Sequence, residues 1–364
     1  MADLYTTSEI ERYLKSVIAP SARIIRQTLL AKPGKSKKDL KGYGYGAPVL
    51  IEFDVDGQRR KAVLHTIYPG PFGHEHMSDR AQSLLWDHSA FNTLPRHVRS
   101  LDVGAFRKDG TPVSLGDAEE FFTLTEYGEG EPYAGDLERI RDSGDFDETD
   151  LRRADTLCDY LAAIHAVKGP AAGLYVRRIR ELVGHSECIM GLIDSYPKDT
   201  SPDFGPSLMA IERRCVDWRW KLKGRDYRLR QVHGDFHPWN ILFNPQGELC
   251  ILDRSRGEWG EAADDVTCLA INYLFFSLQR FGRLQGSFET LFQRFWERYL
   301  KETGDQEILE VAAPFLVFRG LVLAHPLWYP QLSDAIRRKL FSFMEAVLQS
   351  DTFDFQKVNH YCDA

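Results

Sequence analysis

The sequence predicts an α+β fold of two lobes, a β-rich N-terminal lobe over residues 1–125 and a mainly helical C-terminal lobe over residues 126–364. Three observations carry this expectation. The first third of the chain has short runs of β-branched and aromatic residues separated by turn signals. After about residue 150, apolar residues recur at helical spacing. A chain of 364 residues is also long enough for two hydrophobic cores.

The N-terminal elements follow in order. A loop from Lys41 to Gly46 places Gly42, Gly44 and Gly46 at alternate positions, where the backbone can approach a bound phosphate closely. Residues 49–56 and 59–67 read as strands flanking Asp56-Gly57, a strong hairpin signal. Asp79 to His88 reads as a short helix, and Phe121 to Tyr127 as a further strand ending at Gly128-Glu129-Gly130. A hinge is expected near Glu126 to Gly130.

In the C-terminal part, Ala154, Leu157, Leu161 and Ile164 mark a helix over Leu151–His165. Helical patterns continue through Arg177–Tyr196, Ser207–Lys223, Asp264–Gln279, Phe288–Lys301 and much of the chain after Asp305. One β hairpin interrupts them: Ile241–Phe243, a turn at Asn244-Pro245-Gln246-Gly247, then Glu248–Asp253.

Composition narrows the function classes. The net charge of −7 argues against a nucleic-acid binder, because tracking backbone phosphates needs a basic surface. Six scattered cysteines without a CxxC pair point to reduced thiols and a cytoplasmic protein. The first residues are charged and amphipathic, without an apolar signal core. The run Val266–Leu278 is too short to span a bilayer and is interrupted by Thr267, Asn272 and Ser277, so no membrane partner is expected.

The segment that carries chemistry begins at His233-Gly234-Asp235, reaches Asn240 five residues after Asp235, and continues past the hairpin to Asp253. Phosphoryl transfer needs one carboxylate to orient or deprotonate the attacking hydroxyl, and oxygen ligands to hold divalent ions against nucleotide phosphates. These residues supply such groups, and hard oxygen donors suit magnesium. His237-Pro238-Trp239 reads as a shaper of the loop, since proline fixes the backbone and tryptophan packs.

His233-Gly-Asp235, Asn240, Ile-Leu-Asp253 and Gly260-Glu-Ala-Ala-Asp264-Asp265 together resemble the signature of the aminoglycoside phosphotransferase and choline kinase-like family. Leu161-Ala-Ala-Ile-His165 is similar to that family's helix preceding the catalytic segment, and Thr125-Glu126-Tyr127 with Gly130 to its nucleotide hinge. The resemblance implies a protein-kinase-like fold and transfer of the γ-phosphoryl group of ATP to a hydroxyl of a small molecule. By residue, it implies Asp235 as catalytic base, with His233 orienting the loop, and Asn240 and Asp253 as Mg2+ ligands. It further implies Asp265 as support for the catalytic loop, and Glu126 and Tyr127 at the nucleotide.

One position departs from the pattern. Kinases of this fold place a lysine or arginine against the phosphates on the strand where this chain has His65. Arg59, Lys61, Val63 and His65 share a strand face, but Lys61 lies about 13 Å from His65 along it. A neutral imidazole offers a hydrogen bond without a permanent cation. Glu75 and Asp79 are the acids available to pair with such a cation. His65 therefore keeps a second reading open, a nucleotide-binding kinase-like regulatory module with weak or no phosphotransfer. The acceptor pocket is expected in the helical lobe, with Trp259, Trp296 and Trp328 as candidate walls.

Overall fold

The structure, a computed structural model, describes residues 6–30, 45–46, 48–198 and 204–363. It divides into two compact units, residues 1–125 and residues 126–364. The fold class is the predicted α+β, with a small antiparallel sheet in the first unit and a mainly helical second unit.

In the first unit, α1 (Thr7–Val17) opens with a capping box in which Thr6 and Glu9 satisfy each other's backbone N–H groups. Strands β1 (Arg23–Leu29), β2 (Val49–Val55) and β3 (Gln58–Leu64) form an antiparallel sheet in that order. Alternation along β2 buries Ile51, Phe53 and Val55 in one cluster with Ile10 and Leu14 of α1. Asp56 and Gly57 turn the β2–β3 hairpin with φ of 53° and 82°, the left-handed pair that the sequence signals. β3 is shorter than expected: it ends at Leu64, and Ile67 rejoins only through an isolated bridge to Gly46.

Helix α2 (Met77–Phe91) contains the predicted short helix. The Asp79 carboxylate accepts the His76 N–H at 2.7 Å, satisfying one of the donors left open at a helix start. β4 (Gly104–Phe106) and β5 (Pro112–Ser114) make a second small hairpin.

The strand expected over Phe121–Tyr127 is not formed. No strand pairs with it among the described residues, and Phe122, Leu124 and Tyr127 are about nine-tenths exposed. Alternating bulky residues permit a strand, but only a neighbour that takes the backbone N–H and C=O groups makes one.

The second unit starts with β6 (Glu131–Pro132), then α3 (Tyr133–Asp142) and α4 (Glu148–His165). The helical stretch expected over Arg177–Tyr196 forms as two helices, α5 (Ala172–Gly184) and α6 (Ile189–Ser195). His185 adopts extended backbone after Gly184 and ends the first. α7 (Gly205–Leu222), β7 (Leu229–Gln231), β8 (Ile241–Phe243), β9 (Leu249–Ile251) and β10 (Trp259–Glu261) follow. β8 and β9 are the predicted hairpin, and β6 adds to its edge. β7 pairs with β10, bringing the two flanks of the His233–Asp253 segment together.

The rest is helical: α8 (Ala262–Phe281), α9 (Ser287–Thr303), α10 (Ile308–Val311), α11 (Ala313–Ala324), α12 (Asp334–Gln349) and α13 (Val358–Cys362). Every residue of α8 from Ala262 to Leu278 is buried, with α3, α9 and α11 packed around it. This explains the long apolar run, and no described helix is long and apolar enough to cross a membrane. All six cysteines carry free thiols.

Trp296 is fully buried on α9 among Phe292, Phe353 and Phe355. It is core, not a wall of an acceptor pocket. Trp296→Ala should lower unfolding free energy by about 3–5 kcal/mol, measured by urea denaturation, whereas a surface position would stay within about 0.5 kcal/mol.

Candidate active site

The loop between β7 and β8 carries His233, Asp235 and Asn240, and its shape is set from below by α8. Asp265, in the first turn of α8 and fully buried, accepts the backbone N–H groups of His233 and Gly234, each at 2.7 Å. Its Oδ2 also lies 3.1 Å from His165 Nε2, and the other nitrogen of that imidazole meets the Tyr299 hydroxyl at 2.8 Å. Burial alone would raise the Asp265 pKa, but His165 and the two loop N–H donors outweigh it and hold the carboxyl below its ordinary value.

His233 bridges the loop to the hairpin. Its Nε2–H donates to the Leu252 carbonyl at 2.8 Å, while Nδ1 accepts the Asp235 N–H at 3.2 Å. Both ring nitrogens are thereby engaged by backbone. Gly234 has φ 88°, and a Cβ there would meet Arg256 Cβ at 3.1 Å and Arg178 Nη2 at 3.3 Å, so the turn requires glycine.

Asp235 is mostly buried, at 14% side-chain exposure. Arg319 Nη1 donates to its Oδ1, whereas Oδ2 stands 3.9 Å from both His237 Nε2 and Arg256 Nε. Burial pushes the Asp235 carboxyl up, but the charges of Arg319, Arg256 and His237 and the Arg319 hydrogen bond bring it below its ordinary value. His237 is itself pushed down by burial, against the pull of Asp235. Its Nδ1 accepts the Trp239 N–H at 3.2 Å and caps the short turn Pro238–Asn240.

Asn240 Nδ2 donates to the Asp235 carbonyl at 3.1 Å. Its backbone carbonyl accepts the Leu252 N–H at 2.8 Å, which sets Asp253 beside it in the fold. Asp253 is exposed and holds φ at 53°, uncommon for a residue with a Cβ. The conformation is enforced on both sides: Leu252 is tied at N–H and C=O, and Arg254 donates to the carbonyls of Val232 and Glu258. An amide oxygen and a carboxylate are hard donors of the kind Mg2+ takes, so this pair fits that ion. No three His, Cys, Asp or Glu side chains converge as a metal site among the described residues.

The first unit brings two of the expected nucleotide residues together. A Cβ at Gly46 would lie 1.9 Å from the Thr66 carbonyl oxygen and 3.1 Å from His65 Nε2, so only glycine lets the loop close on this strand end. His65 is exposed one residue beyond β3, and Lys61 is paired with Glu52 at 3.4 Å across the β2–β3 ladder. Gly42 and Gly44 lie outside the described residues. Glu126 and Tyr127 are exposed in irregular chain, five and four residues ahead of β6.

Sequence reasoning missed the arginines. Arg319 Nη2 reaches the Gly234 carbonyl and Asp264 Oδ1, both at 2.8 Å, and Arg178 Nη2 holds Asp264 Oδ2 at 2.6 Å. Arg178 Nη1 also donates to the Arg256 carbonyl at 3.0 Å. The available signal was a lone charge at position 319 within an otherwise apolar helix sequence.

A sequence profile described as the phosphotransferase enzyme family matches residues 97–308, more than half of the chain. No curated protein matches the chain. Among solved structures, a glucosamine kinase is 18% identical with a TM-score of 0.34, over 64% of this chain and 56% of that one. An ethanolamine kinase from Plasmodium vivax is 12% identical, covering 96% and 84%, with a TM-score of 0.36. An amicoumacin kinase is 14% identical, covering 98% of each chain, with a TM-score of 0.40. Likeness at this level carries no argument about substrate.

Asp265→Asn should loosen the loop and lower unfolding free energy at pH 7 by about 1–3 kcal/mol. A carboxyl with a depressed folded pKa stabilises fully above its unfolded pKa of about 3.9 and less as the pH falls through the folded value. The gap between wild type and Asp265→Asn in chemical denaturation should therefore be wide at pH 7 and narrow below about pH 4.

Proposed function

Because the chain belongs to the phosphotransferase enzyme family, we propose that it transfers the γ-phosphoryl group of ATP to a hydroxyl of a small molecule, with Asp235 as the base. The observation that carries this is the posture of Asp235. One carboxylate oxygen is fixed by Arg319, and the other makes no hydrogen bond and stands 3.9 Å from both His237 Nε2 and Arg256 Nε.

In the proposed step the acceptor oxygen attacks Pγ, the bond from Pγ to the bridging oxygen breaks, and ADP leaves. The acceptor proton passes to Asp235 Oδ2. A carboxylate held below its ordinary pKa is a weak base, which suits a loose transition state in which the hydroxyl is oriented first and deprotonated late. Asn240 and Asp253 would hold Mg2+, which when bound neutralises charge on the nucleotide phosphates. Asp265 and His233 keep the loop in register. In the first unit, Gly46 and His65, with Gly42 and Gly44, are the proposed nucleotide residues, joined by Glu126 and Tyr127.

We place the acceptor in a cavity of about 540 Å³ lined by Phe275, Gln279, Trp328, Tyr329 and Ser333, among others. This volume suits a small molecule. Tyr329 is shared with the catalytic loop, its ring centroid 6.4 Å from that of Trp239. The second reading, a nucleotide-binding regulatory module, is favoured by one observation: an exposed histidine, His65, where a permanent cation would serve phosphate best.

A thermal-shift screen with ATP and magnesium, then an acceptor library assayed for ATP consumption, separates the two. Asp235→Asn should lower turnover by about 10²–10⁴-fold with little change in nucleotide binding. Asp253→Ala should abolish magnesium-dependent nucleotide binding in calorimetry. ATP binding with no turnover on any acceptor would favour the regulatory module, and turnover unchanged by both substitutions would remove Asp235 and Asp253 from the mechanism. His65→Lys should tighten ATP binding if the missing cation limits affinity.

A further inference from the structure

Helix α11 is apolar in eleven of its twelve residues, and the exception, Arg319, is buried to 5% exposure. It lies beyond residue 308, outside the segment that matches the family. A guanidinium at such a position is costly unless every charge it brings is answered, and an apolar side chain is often as stabilising as a buried ion pair. Stability alone therefore gives a weak reason for an arginine here.

Its contacts give a stronger one. Nη1 holds Asp235 Oδ1, and Nη2 holds both the Gly234 carbonyl and Asp264 Oδ1 at 2.8 Å. Asp264 is fixed in turn by Arg178, so two guanidinium groups and two carboxylates are linked in one buried network. A planar fork grips a carboxylate, a carbonyl and a second carboxylate in one fixed geometry, which the rotating point charge of a lysine does not impose.

On the phosphotransferase reading above, we infer that Arg319 is a positioning residue of the reaction. It occupies Asp235 Oδ1 and locks the side-chain rotation, so that Oδ2 alone faces the acceptor hydroxyl. Asp264 and Arg178 hold Arg319 in that posture. Asp235 is thus aimed by a helix about eighty residues away, not only by its own loop. The consequence is kinetic: losing the aim slows the chemical step and leaves nucleotide binding intact.

The test compares full-length wild type, Arg319→Ala and Arg319→Lys, each checked for folding by urea denaturation, with an acceptor found in the library screen. Arg319→Ala should lower kcat about 10²-fold while the KM for ATP changes less than about twofold. Added guanidinium should restore part of that kcat and have no effect on wild type. Arg319→Lys keeps the buried charge, so it decides the matter if the alanine variant does not fold: its kcat should fall about tenfold at unchanged ATP KM. A folded Arg319→Lys with full kcat, or a loss confined to KM, overturns the role of Arg319 and leaves the phosphotransferase reading standing. A wild type that binds ATP but turns over none of the acceptors overturns that reading and this inference together.

Discussion

A single buried carboxylate organises the second unit. Asp265 sits in the first turn of α8, where the helix dipole favours negative charge, and spends both oxygens on the loop above it. Two backbone N–H groups that would otherwise be unsatisfied near the core are answered there, and the turn at Gly234 is fixed in height and direction. His165 on α4 and Tyr299 on α9 extend the same chain of contacts, so three helices define where the loop can lie. The loop is irregular but rigidly specified.

Around that anchor, charged side chains gather closely. The chain as a whole is acidic at −7, yet the surroundings of Asp235 are rich in guanidinium groups from Arg178, Arg256 and Arg319. Net charge describes solubility and long-range fields; it does not describe a site. The local arrangement holds the Asp235 carboxyl below its ordinary value despite burial, through the charges of Arg319, Arg256 and His237. It also leaves Asp235 poised to accept a hydrogen bond.

Much of this was legible in the sequence where the signal was local. The Asp56-Gly57 hairpin, the amphipathic helices and the hairpin leading to Asp253 each rest on near neighbours, and each formed. The Phe121–Tyr127 strand failed because a strand is a property of two segments and the pattern shows only one. Arg319 and Arg178 escaped for a related reason. Their partners, Asp235 and Asp264, are 84 and 86 residues distant, and no spacing rule spans such a gap. His233 was readable as part of a motif, but only the geometry shows both its nitrogens committed to backbone.

Asp253 shows how rigidity and access are combined. In the proposed role of metal ligand, Asp253 must be reachable by ions and solvent, yet held closely enough to select a hard cation. Here the side chain is exposed, while the strained backbone at φ 53° is trapped between Leu252, tied to Asn240 and His233, and Arg254, tied to Val232 and Glu258. The strain is sustained by contacts made by its neighbours, none of which uses the carboxylate itself. The same division applies to Asp235, where Arg319 takes one oxygen and leaves the other. In Asp253 the neighbours hold the backbone, and in Asp235 Arg319 holds one carboxylate oxygen.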